Sequence, residues 1–315
     1  MEAKTDFRPH SFAVVGAGPV GCIVAAFLAK GGYDVTLCDV FPELLSPALD
    51  PGITIDGAEN LEHVVVARTC TSIDDLAKNI PEVIFLTVKA NALPLICSAI
   101  EGFYREGMYI VSWQNGIDTE AVIAQTLGKK PAIRAVVNWG CGLTKPGHVH
   151  MAFHHAPHFL QELDAASATA AVKIAEILTE CGLPTDHTDK IASLVWRKTI
   201  LNSAMNAVCA TTGLTMYQAM KDPIVFQIID SLLKECIAVA RANEIELGWD
   251  FYPLALEYMG TAGDHKPSML VDIVNKRRTE INFMNGKFIE YGRQAGMDTP
   301  YNKTLWALVK ALEPK

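Results

Sequence analysis

The first apolar stretch of the chain contains two short β-favouring runs with a glycine turn and a helical segment between them. The runs are Ser11–Val15 and Asp34–Cys38, and the helical segment covers Pro19–Lys30. Strand, glycine turn, helix and strand within about thirty residues are the pattern of a βαβ unit. We therefore predict two parallel strands joined by a crossover helix.

The alternation of strands and helices continues to about residue 188 and then stops. Strands are predicted over 83–88, 109–112, 133–137 and 149–153, and helices over 90–101, 118–127 and 164–181. Farther on, only helical patterns occur, over 190–211, 223–243, 267–275, 279–295 and 304–312. The predicted fold class is α/β, with a Rossmann-type doubly wound sheet over 1–188 followed by an all-helical domain over 189–315.

The charge balance argues against nucleic acid and membrane surfaces as partners. Of 315 residues, 27 are lysine or arginine and 35 are aspartate or glutamate, which gives a net charge of −8. Without a block of basic residues, such a chain repels phosphate backbones and anionic lipid head groups. A small molecule is the expected partner.

Cysteine usage and the N-terminal residues indicate a cytoplasmic protein. The eight cysteines are dispersed without a CxxC pair, which is typical of reduced thiols. Residues 12–29 carry no charge, but glycines and a proline interrupt them, and the residues before them mix acids with bases. A membrane span or signal peptide requires an unbroken apolar run.

The glycine turn has the features of a dinucleotide-binding site. In Gly16-Ala17-Gly18-Pro19-Val20-Gly21, the first glycine permits the tight turn, and the second lets the backbone approach a pyrophosphate. Gly21 lets the helix pack on the strand. The phosphates are expected at the start of the helix, around Pro19 and Val20.

Asp39 at the end of the second strand indicates which dinucleotide binds. A carboxylate there accepts hydrogen bonds from the ribose hydroxyls and repels a 2′-phosphate. No lysine or arginine occurs between Lys30 and Arg68. The sequence therefore predicts NAD as the cofactor, with NADH preferred over NADPH.

A lysine and two asparagines recur every four residues at the start of the C-terminal domain. Lys198, Asn202 and Asn206 share one side of a helix whose other positions are largely apolar. Asparagine is a mediocre helix former that gains little on a solvated surface. We interpret the stripe as a site for a small oxygen-rich ligand, the alternative being a solvated face.

Several short motifs follow one another in a fixed order along the chain. They are the glycine turn, Val88-Lys89, Gln114-Asn115-Gly116, Trp196-Arg197-Lys198 with the two asparagines, 266–273, and Arg278-Thr279-Glu280-Ile281 with Asn285-Gly286. With these motifs the chain resembles the ketopantoate reductase (2-dehydropantoate 2-reductase) family along nearly its whole length.

The resemblance implies a reaction and a role for individual residues. Lys198 would be the general acid, and Glu280 would support it and contact the substrate. Hydride transfer to a 2-oxo acid leaves a developing alkoxide, which needs a proton and a positive charge. The implied reaction is reduction of 2-dehydropantoate to (R)-pantoate, and Lys89 would lie on the cofactor side. The implied substrate-binding residues are Asn115, which would also contact the nicotinamide, Asn202, Asn206 and Ser268.

Two departures from the family pattern leave other functions open. NADPH-dependent members carry a basic residue just after the second strand, where this chain has Asp39-Val40-Phe41, and His265 stands where some members have asparagine. Asp39 and residues 139–143 resemble the NAD-dependent D-2-hydroxy acid (mandelate-type) dehydrogenases, whose reaction is the alternative. A non-catalytic NAD-sensing module is the alternative of another class, although it would not need Lys198 with Glu280.

Three further expectations concern the histidines, the segment before Glu280 and the assembly. The five histidines within 148–158 are interpreted as a surface strand and loop without a metal, because no acid or cysteine has matching spacing. An unbroken helix would separate Ser268 from Glu280 by about 18 Å. We therefore predict a break around 275–279, with Thr279 capping a new helix that carries Glu280. The apolar surface of the helical domain favours a homodimer.

Overall fold

An eight-stranded sheet forms the centre of the N-terminal part of the chain. The computed structural model describes residues 7–261 and 263–315. The strands are β1 (Ser11–Val15), β2 (Asp34–Cys38), β3 (Ile53–Gly57), β4 (Leu61–Val64), β5 (Arg68–Cys70), β6 (Val83–Leu86), β7 (Tyr109–Ser112), β8 (Ala132–Val136), β9 (Trp139–Lys145), β10 (His148–His154), β11 (His158–Glu162) and β12 (Thr185–His187). The helices are α1 (Pro19–Lys30), α2 (Pro42–Leu49), α3 (Leu93–Glu101), α4 (Thr119–Leu127), α5 (Ala168–Glu180), α6 (Ile191–Thr212), α7 (Met216–Lys221), α8 (Pro223–Ala242), α9 (Phe251–Gly260), α10 (Ser268–Val274), α11 (Asn285–Gln294) and α12 (Pro300–Leu312).

The large sheet has the strand order of dinucleotide-binding folds. Its order is β12-β11-β8-β7-β6-β1-β2-β5, and all neighbours from β8 to β5 are parallel. Counted along the chain, these strands stand in the order 3-2-1-4-5-6, and the predicted Rossmann-type sheet is confirmed. Val15 is aligned with Cys38 and with Leu86, so the residues that follow β1, β2 and β6 emerge at one edge of the sheet.

Helix α1 packs against the large sheet and also against a second sheet of four strands, ordered β4-β3-β10-β9. All its residues from Gly21 to Leu28 are buried. A helix covered on two sides is apolar all round. This burial explains why residues 12–29 carry no charge.

Several predicted elements are right in kind but wrong at their ends. The strand predicted over 83–88 ends at Leu86, and the helices predicted over 90–101 and 164–181 each begin with a 3-10 turn. The bounds predicted for β1, α1, β2 and β7 are those observed. The sequence did not predict β3, β4, β5, β9, β11 or β12, because short strands with glycine or polar residues carry little periodic signal.

The C-terminal part of the chain is helical, as predicted, from α6 to α12. Contacts group residues 7–114 and 118–191 into one unit, and residues 115–117 with the described residues after 191 into another. The boundary expected from sequence was 188. No helix within the described ranges is long and apolar enough to cross a membrane.

Candidate active site

The glycine turn after β1 is shaped by close backbone contacts. Gly16 has a φ of +109°, and its N–H donates to the carbonyl of Cys38 at 2.7 Å. A Cβ on Gly21 would lie 1.7 Å from the carbonyl oxygen of Gly16, so only glycine lets α1 begin here. A Cβ on Gly18 would meet no atom of the described residues within 4 Å. The fold therefore requires Gly16 and Gly21, and Gly18 adjoins open space of the kind a pyrophosphate needs.

The start of α1 is suited to an anion. Pro19 lies in the first turn, and the N-cap residue Gly18 has no side chain to bond the first amides. The backbone N–H groups of this turn, with Val20 among its residues, coincide with the positive end of the helix dipole. Phosphates bind at such helix ends.

The Asp39 carboxylate is held beside the glycine turn. Its Oδ2 accepts a hydrogen bond from Ala17 N–H at 2.7 Å, and its Oδ1 accepts one from Phe41 N–H at 3.0 Å. Each carboxylate oxygen has capacity for a further donor. Asp39 can therefore accept hydrogen bonds from ribose hydroxyls while it keeps both backbone contacts.

Thr87 supports the same turn, and sequence reasoning missed it. Its Oγ1 donates to the carbonyl oxygens of Val15, at 2.9 Å, and Gly16, at 3.0 Å. The available signal was a polar residue directly after the apolar run that forms β6. This hydrogen bonding helps to fix the conformation of Gly16.

Helix α6 carries the lysine–asparagine stripe. Lys198 and Asn202 are half-buried, whereas 5% of Asn206 is exposed. The stripe is therefore not the fully solvated face that was the alternative interpretation.

A buried amide network lies beside the stripe in the same unit. Asn285 Nδ2 donates to the carbonyl of Ser203 at 3.2 Å and to Oδ1 of Asn302 at 2.9 Å. Asn302 Nδ2 in turn donates to Oε1 of Glu235 at 2.8 Å. These contacts tie α6, α8, α11 and α12 together, and they give the Asn285-Gly286 motif a structural role that sequence reasoning did not assign.

The loop that contains Asn115 belongs to the helical unit. Ile117 N–H donates to the carbonyl of Phe283 at 2.8 Å, and a Cβ on Gly116 would lie 2.6 Å from that same oxygen. Gly116 also has a φ of +104°. Asn115 Oδ1 is buried and has no hydrogen-bond partner among the described residues. The loop thus presents an unsatisfied acceptor close in sequence to its contact with Phe283.

The segment before Glu280 is broken, as predicted. Helix α10 ends at Val274, and Lys276 has a φ of +52°. The expected new helix is only a 3-10 turn over Ile281–Phe283, and Glu280 precedes it rather than lying within it. The N-cap of this turn is Glu280 rather than the predicted Thr279, although Thr279 Oγ1 accepts a hydrogen bond from Ile281 N–H at 3.3 Å.

Glu313 anchors this segment, a role that no local sequence pattern indicates. Its Oε1 accepts hydrogen bonds from Thr279 N–H at 2.8 Å and Thr279 Oγ1 at 2.7 Å. Burial opposes the charged form, but hydrogen bonds from Lys310 and Thr279 outweigh it and lower the pKa of Glu313. The carboxylate therefore fixes the residue adjacent to Glu280.

The candidate residues divide between the two units. Glu280 is 6% exposed, whereas Ser268, the first residue of α10, is exposed. The first unit contains Gly16, Gly18, Pro19, Val20, Gly21, Asp39 and Lys89, and the second contains Asn115, Lys198, Asn202, Asn206, Ser268 and Glu280.

The histidines of β10 have acidic partners that spacing did not reveal. His148 Nε2 lies 2.6 Å from Asp56 Oδ2, and His154 Nδ1 lies 2.9 Å from Glu59 Oε1. Asp56 lies on β3, which is distant in sequence from β10 but pairs with it, so spacing along 148–158 could not indicate this acid. Hydrogen bonds from His148 and His150 lower the pKa of Asp56. In the part of the chain that the structure describes, no group of three or more His, Cys, Asp or Glu side chains could hold a metal ion.

Comparisons with known proteins cover most of the chain. The family described as "Ketopantoate reductase PanE/ApbA" matches residues 12–164, and "Ketopantoate reductase PanE/ApbA C terminal" matches residues 190–313. The chain is 32% identical over 302 residues to a 2-dehydropantoate 2-reductase of Pyrococcus horikoshii, which covers 95% of this chain and 96% of that protein.

Two solved structures share the fold over nearly their whole length. A D-mandelate dehydrogenase with NADH and anilino(oxo)acetate matches with a TM-score of 0.84 and 27% identity, covering 96% of this chain and 97% of that one. A ketopantoate reductase from Ralstonia eutropha JMP134 matches with a TM-score of 0.84, 24% identity and the same coverage. The sequence relatives, the fold and the order of the motifs agree, and the chain belongs to the ketopantoate reductase (PanE/ApbA) family.

Proposed function

We propose that the protein reduces a branched 2-oxo acid, 2-dehydropantoate, to (R)-pantoate with NADH. The observation that carries this proposal is the contact between Ile117 and Phe283, which makes the Asn115 loop part of the unit that contains Lys198 and Glu280. The buried, unpartnered Oδ1 of Asn115 requires a donor, which a ligand would supply. Relatives in Pyrococcus horikoshii and Streptococcus pyogenes are named 2-dehydropantoate 2-reductase, which supports this substrate.

The first unit fits a nicotinamide dinucleotide. The open space beside Gly18 and the start of α1 would take the pyrophosphate, and Asp39 would take the adenosine ribose. When bound, the nicotinamide supplies the hydride that is added to C2 of the 2-oxo acid.

The second unit supplies the groups that the substrate requires. The Lys198 ammonium would donate a proton to the carbonyl oxygen as negative charge develops there. The Glu280 carboxylate would favour the charged form of that lysine. Asn202, Asn206 and Ser268 would donate hydrogen bonds to the carboxylate or hydroxyl groups of the substrate, without the desolvation cost of a second buried cation.

The preference for NADH rests on the surroundings of Asp39. Arg68 is the first lysine or arginine after Lys30, and its guanidinium is paired with Asp34 at the opposite end of β2. Five residues of strand correspond to about 16 Å, so in this pairing Arg68 does not neutralise a 2′-phosphate at Asp39.

Initial rates with a panel of 2-oxo acids and both cofactors test the proposal. We expect the highest kcat/KM for 2-dehydropantoate with NADH. NADH binding without turnover of any 2-oxo acid would contradict the proposal and favour a non-catalytic NAD-sensing module.

A D-2-hydroxy acid (mandelate-type) dehydrogenase is the second candidate. The matched D-mandelate dehydrogenase was solved with NADH, and Asp39 agrees with that cofactor. The same panel separates the two functions, since this candidate would favour an aromatic 2-oxo acid over 2-dehydropantoate.

We further propose that the protein works as a homodimer in the cytoplasm. The second unit exposes apolar side chains on neighbouring helices, including Tyr217 on α7, Ile224 on α8 and Tyr258 on α9, of which Ile224 is 74% exposed. Contiguous apolar surface is typical of a subunit interface. Light scattering after gel filtration should give twice the chain mass of 34.3 kDa, and the chain mass itself would contradict the dimer.

A further inference from the structure

Two cysteines lie directly opposite each other on neighbouring strands of the large sheet. The register of β2 and β5 aligns Cys38 with Cys70, and neither cysteine forms a disulfide. Neighbouring strands lie about 4.8 Å apart, and disulfides bridge Cα atoms separated by about 4.4–6.8 Å. The backbone thus already holds the two residues within bridging distance.

The two sulfur atoms are not equivalent. The Cys38 thiol donates a hydrogen bond to the Cys70 sulfur, and this bond, aided by Lys78 and opposed by burial and Asp75, lowers the pKa of Cys70. The same bond, together with burial, raises the pKa of Cys38. Of the two thiols Cys70 thus has the lower pKa, and the thiol with the lower pKa is the better placed of the two to act as the nucleophile, with Cys38 as the resolving thiol.

Cys70 is also the accessible member of the pair. It is half-buried and lines a cavity of about 340 Å³ together with Thr36, Thr71 and Asn79, whereas only 2% of Cys38 is exposed. This volume is large enough for a small organic molecule. A low-molecular-weight disulfide can therefore approach Cys70 but not Cys38.

We propose that Cys70 and Cys38 form a thiol–disulfide exchange site for low-molecular-weight disulfides of the form RSSR. The Cys70 thiolate attacks one sulfur of RSSR, the S–S bond breaks, and RS⁻ leaves and takes up a proton. Cys38 then loses its proton and attacks the Cys70 sulfur of the mixed disulfide, which releases the second RS⁻. Two protein thiols are oxidised to one cross-strand disulfide, and RSSR is reduced to two RSH.

The pair is linked by backbone hydrogen bonds to the proposed cofactor site. The Cys38 carbonyl accepts from Gly16 N–H at 2.7 Å, and the Cys70 carbonyl accepts from Asp39 N–H at 3.2 Å. The backbone separation already permits the bridge, but bringing the two sulfur atoms into bonding distance acts on residues 38 and 70, whose carbonyls are bonded to the glycine turn and to Asp39. Oxidation should therefore weaken NADH binding, a consequence that rests on the proposed function.

Mass spectrometry after incubation with oxidised glutathione tests the chemistry without reference to the cofactor. We expect the wild-type chain to lose two hydrogen atoms and to yield a peptide that links Cys38 to Cys70. Cys38→Ser should accumulate one glutathionyl group on Cys70, and Cys70→Ser should leave Cys38 unmodified. The matched control Cys97→Ser, which alters a buried cysteine elsewhere, should form the cross-strand bridge as the wild type does.

Two results would overturn the assignment. One is a wild-type chain whose Cys38 and Cys70 both remain free after the incubation. The other is a glutathionyl adduct on Cys70 that persists in the wild type, since Cys38 would then not resolve it. Both readouts use the wild-type chain, so they hold even if a variant folds poorly.

Titration of NADH fluorescence tests the link to the cofactor. The oxidised wild type should bind NADH with a Kd raised about tenfold, and reduction with dithiothreitol should restore the original value. An unchanged Kd in a fully bridged protein would overturn the link. Failure of the proposed function would appear instead as weak NADH binding in the reduced protein.

Discussion

Asn115 and Asp39 show two ways in which a single side chain can be prepared for a ligand. The Asn115 Oδ1 atom is buried without a donor among the described residues, and such an atom costs about 1–3 kcal/mol. Asp39 already accepts two backbone hydrogen bonds, which fix its carboxylate while leaving acceptor capacity. Asn115 thus requires a hydrogen-bond donor from a ligand, whereas Asp39 is held in position before a ligand binds.

Replacing Lys198 by alanine should reduce kcat by about 10²–10⁴-fold, which is the usual contribution of a positioned proton donor. The Kd for NADH should be unchanged, because Lys198 is proposed to act on the substrate, whereas the residues proposed to bind the pyrophosphate and the adenosine ribose lie in the first unit. Steady-state kinetics and NADH titration measure the two effects. Lys221→Ala, which removes an exposed lysine from α7, is the control and should retain wild-type kcat. Equal kcat values for both variants would remove Lys198 from the mechanism.

Replacing Asp39 by serine and Val40 by arginine should change the cofactor preference. In the wild type we expect kcat/KM for NADH to exceed that for NADPH at least about tenfold. Repulsion of about 1.4 kcal/mol between the Asp39 carboxylate and the 2′-phosphate of NADPH is enough to give this ratio. The double variant should narrow or invert this ratio, because a cation replaces the repelling carboxylate. Rates measured at low salt provide the most severe test. A wild type that is as efficient with NADPH would contradict the role of Asp39.

Among the secondary-structure elements, those that a local pattern defines were predictable and those that depend on distant partners were not. The bounds of β1, α1 and β2 could be read from the sequence because glycine and proline positions mark their ends. Strand β3 could not, because its pairing with β10 joins segments far apart in the chain. The same limit concealed Glu313, which bonds Thr279 across 34 positions of sequence. Sequence similarity nevertheless identified the candidate chemical residues, since the motifs that contain them are short and local.

Replacing Glu313 by alanine should lower the free energy of unfolding by about 1–3 kcal/mol at pH 7, because Thr279 N–H loses its buried acceptor. The pKa of Glu313 is lowered in the folded protein. Its stabilisation is therefore complete above the unfolded carboxyl pKa of about 4.3 and disappears as the pH falls through the folded value. Urea unfolding should therefore show a smaller difference in the free energy of unfolding between wild type and variant at about pH 4 than at pH 7.

Glu257→Ala on α9 is the matched control for this measurement, because Glu257 is exposed. It should change the free energy of unfolding by less than about 0.5 kcal/mol. A Glu313→Ala effect as small as the control would show that Glu313 does not anchor the segment before Glu280.

At the scale of the whole molecule, the two units are not two successive pieces of sequence. Residues 115–117 leave the strand region and join the helical unit, and the chain then returns to form α4 and β8. This excursion brings Asn115 into the unit of Lys198 and Glu280. Sequence reasoning placed a single boundary near 188 and could not detect it, because the contact with Phe283 is made by backbone atoms.

Replacing Gly116 by alanine should destabilise the protein more than replacing Gly296. Both glycines have positive φ, +104° and +69°, so each substitution costs about 1–2 kcal/mol of backbone strain. Only at Gly116 would the new Cβ also approach the Phe283 carbonyl, at 2.6 Å, and this overpacking should add about 1–3 kcal/mol. Urea unfolding compares the two variants. Equal losses in the free energy of unfolding would show that the Phe283 carbonyl does not exclude a Cβ atom at position 116.

The contact between Ile117 and Phe283 also sets an order of events during synthesis. At about 5–20 residues per second, the ribosome needs roughly ten seconds or more after Ile117 to reach Phe283. During that interval the 115–117 loop has no partner for the Ile117 N–H, although the strands on either side of it can already pair. A nascent chain stalled before Phe283 should therefore contain a folded sheet with a protease-sensitive loop at 115–117. A helical fragment that begins at residue 192 would in turn lack the Ile117 N–H that donates to the Phe283 carbonyl. Two fragments expressed separately, one ending at residue 191 and one beginning at residue 192, should therefore form this contact only when they are mixed.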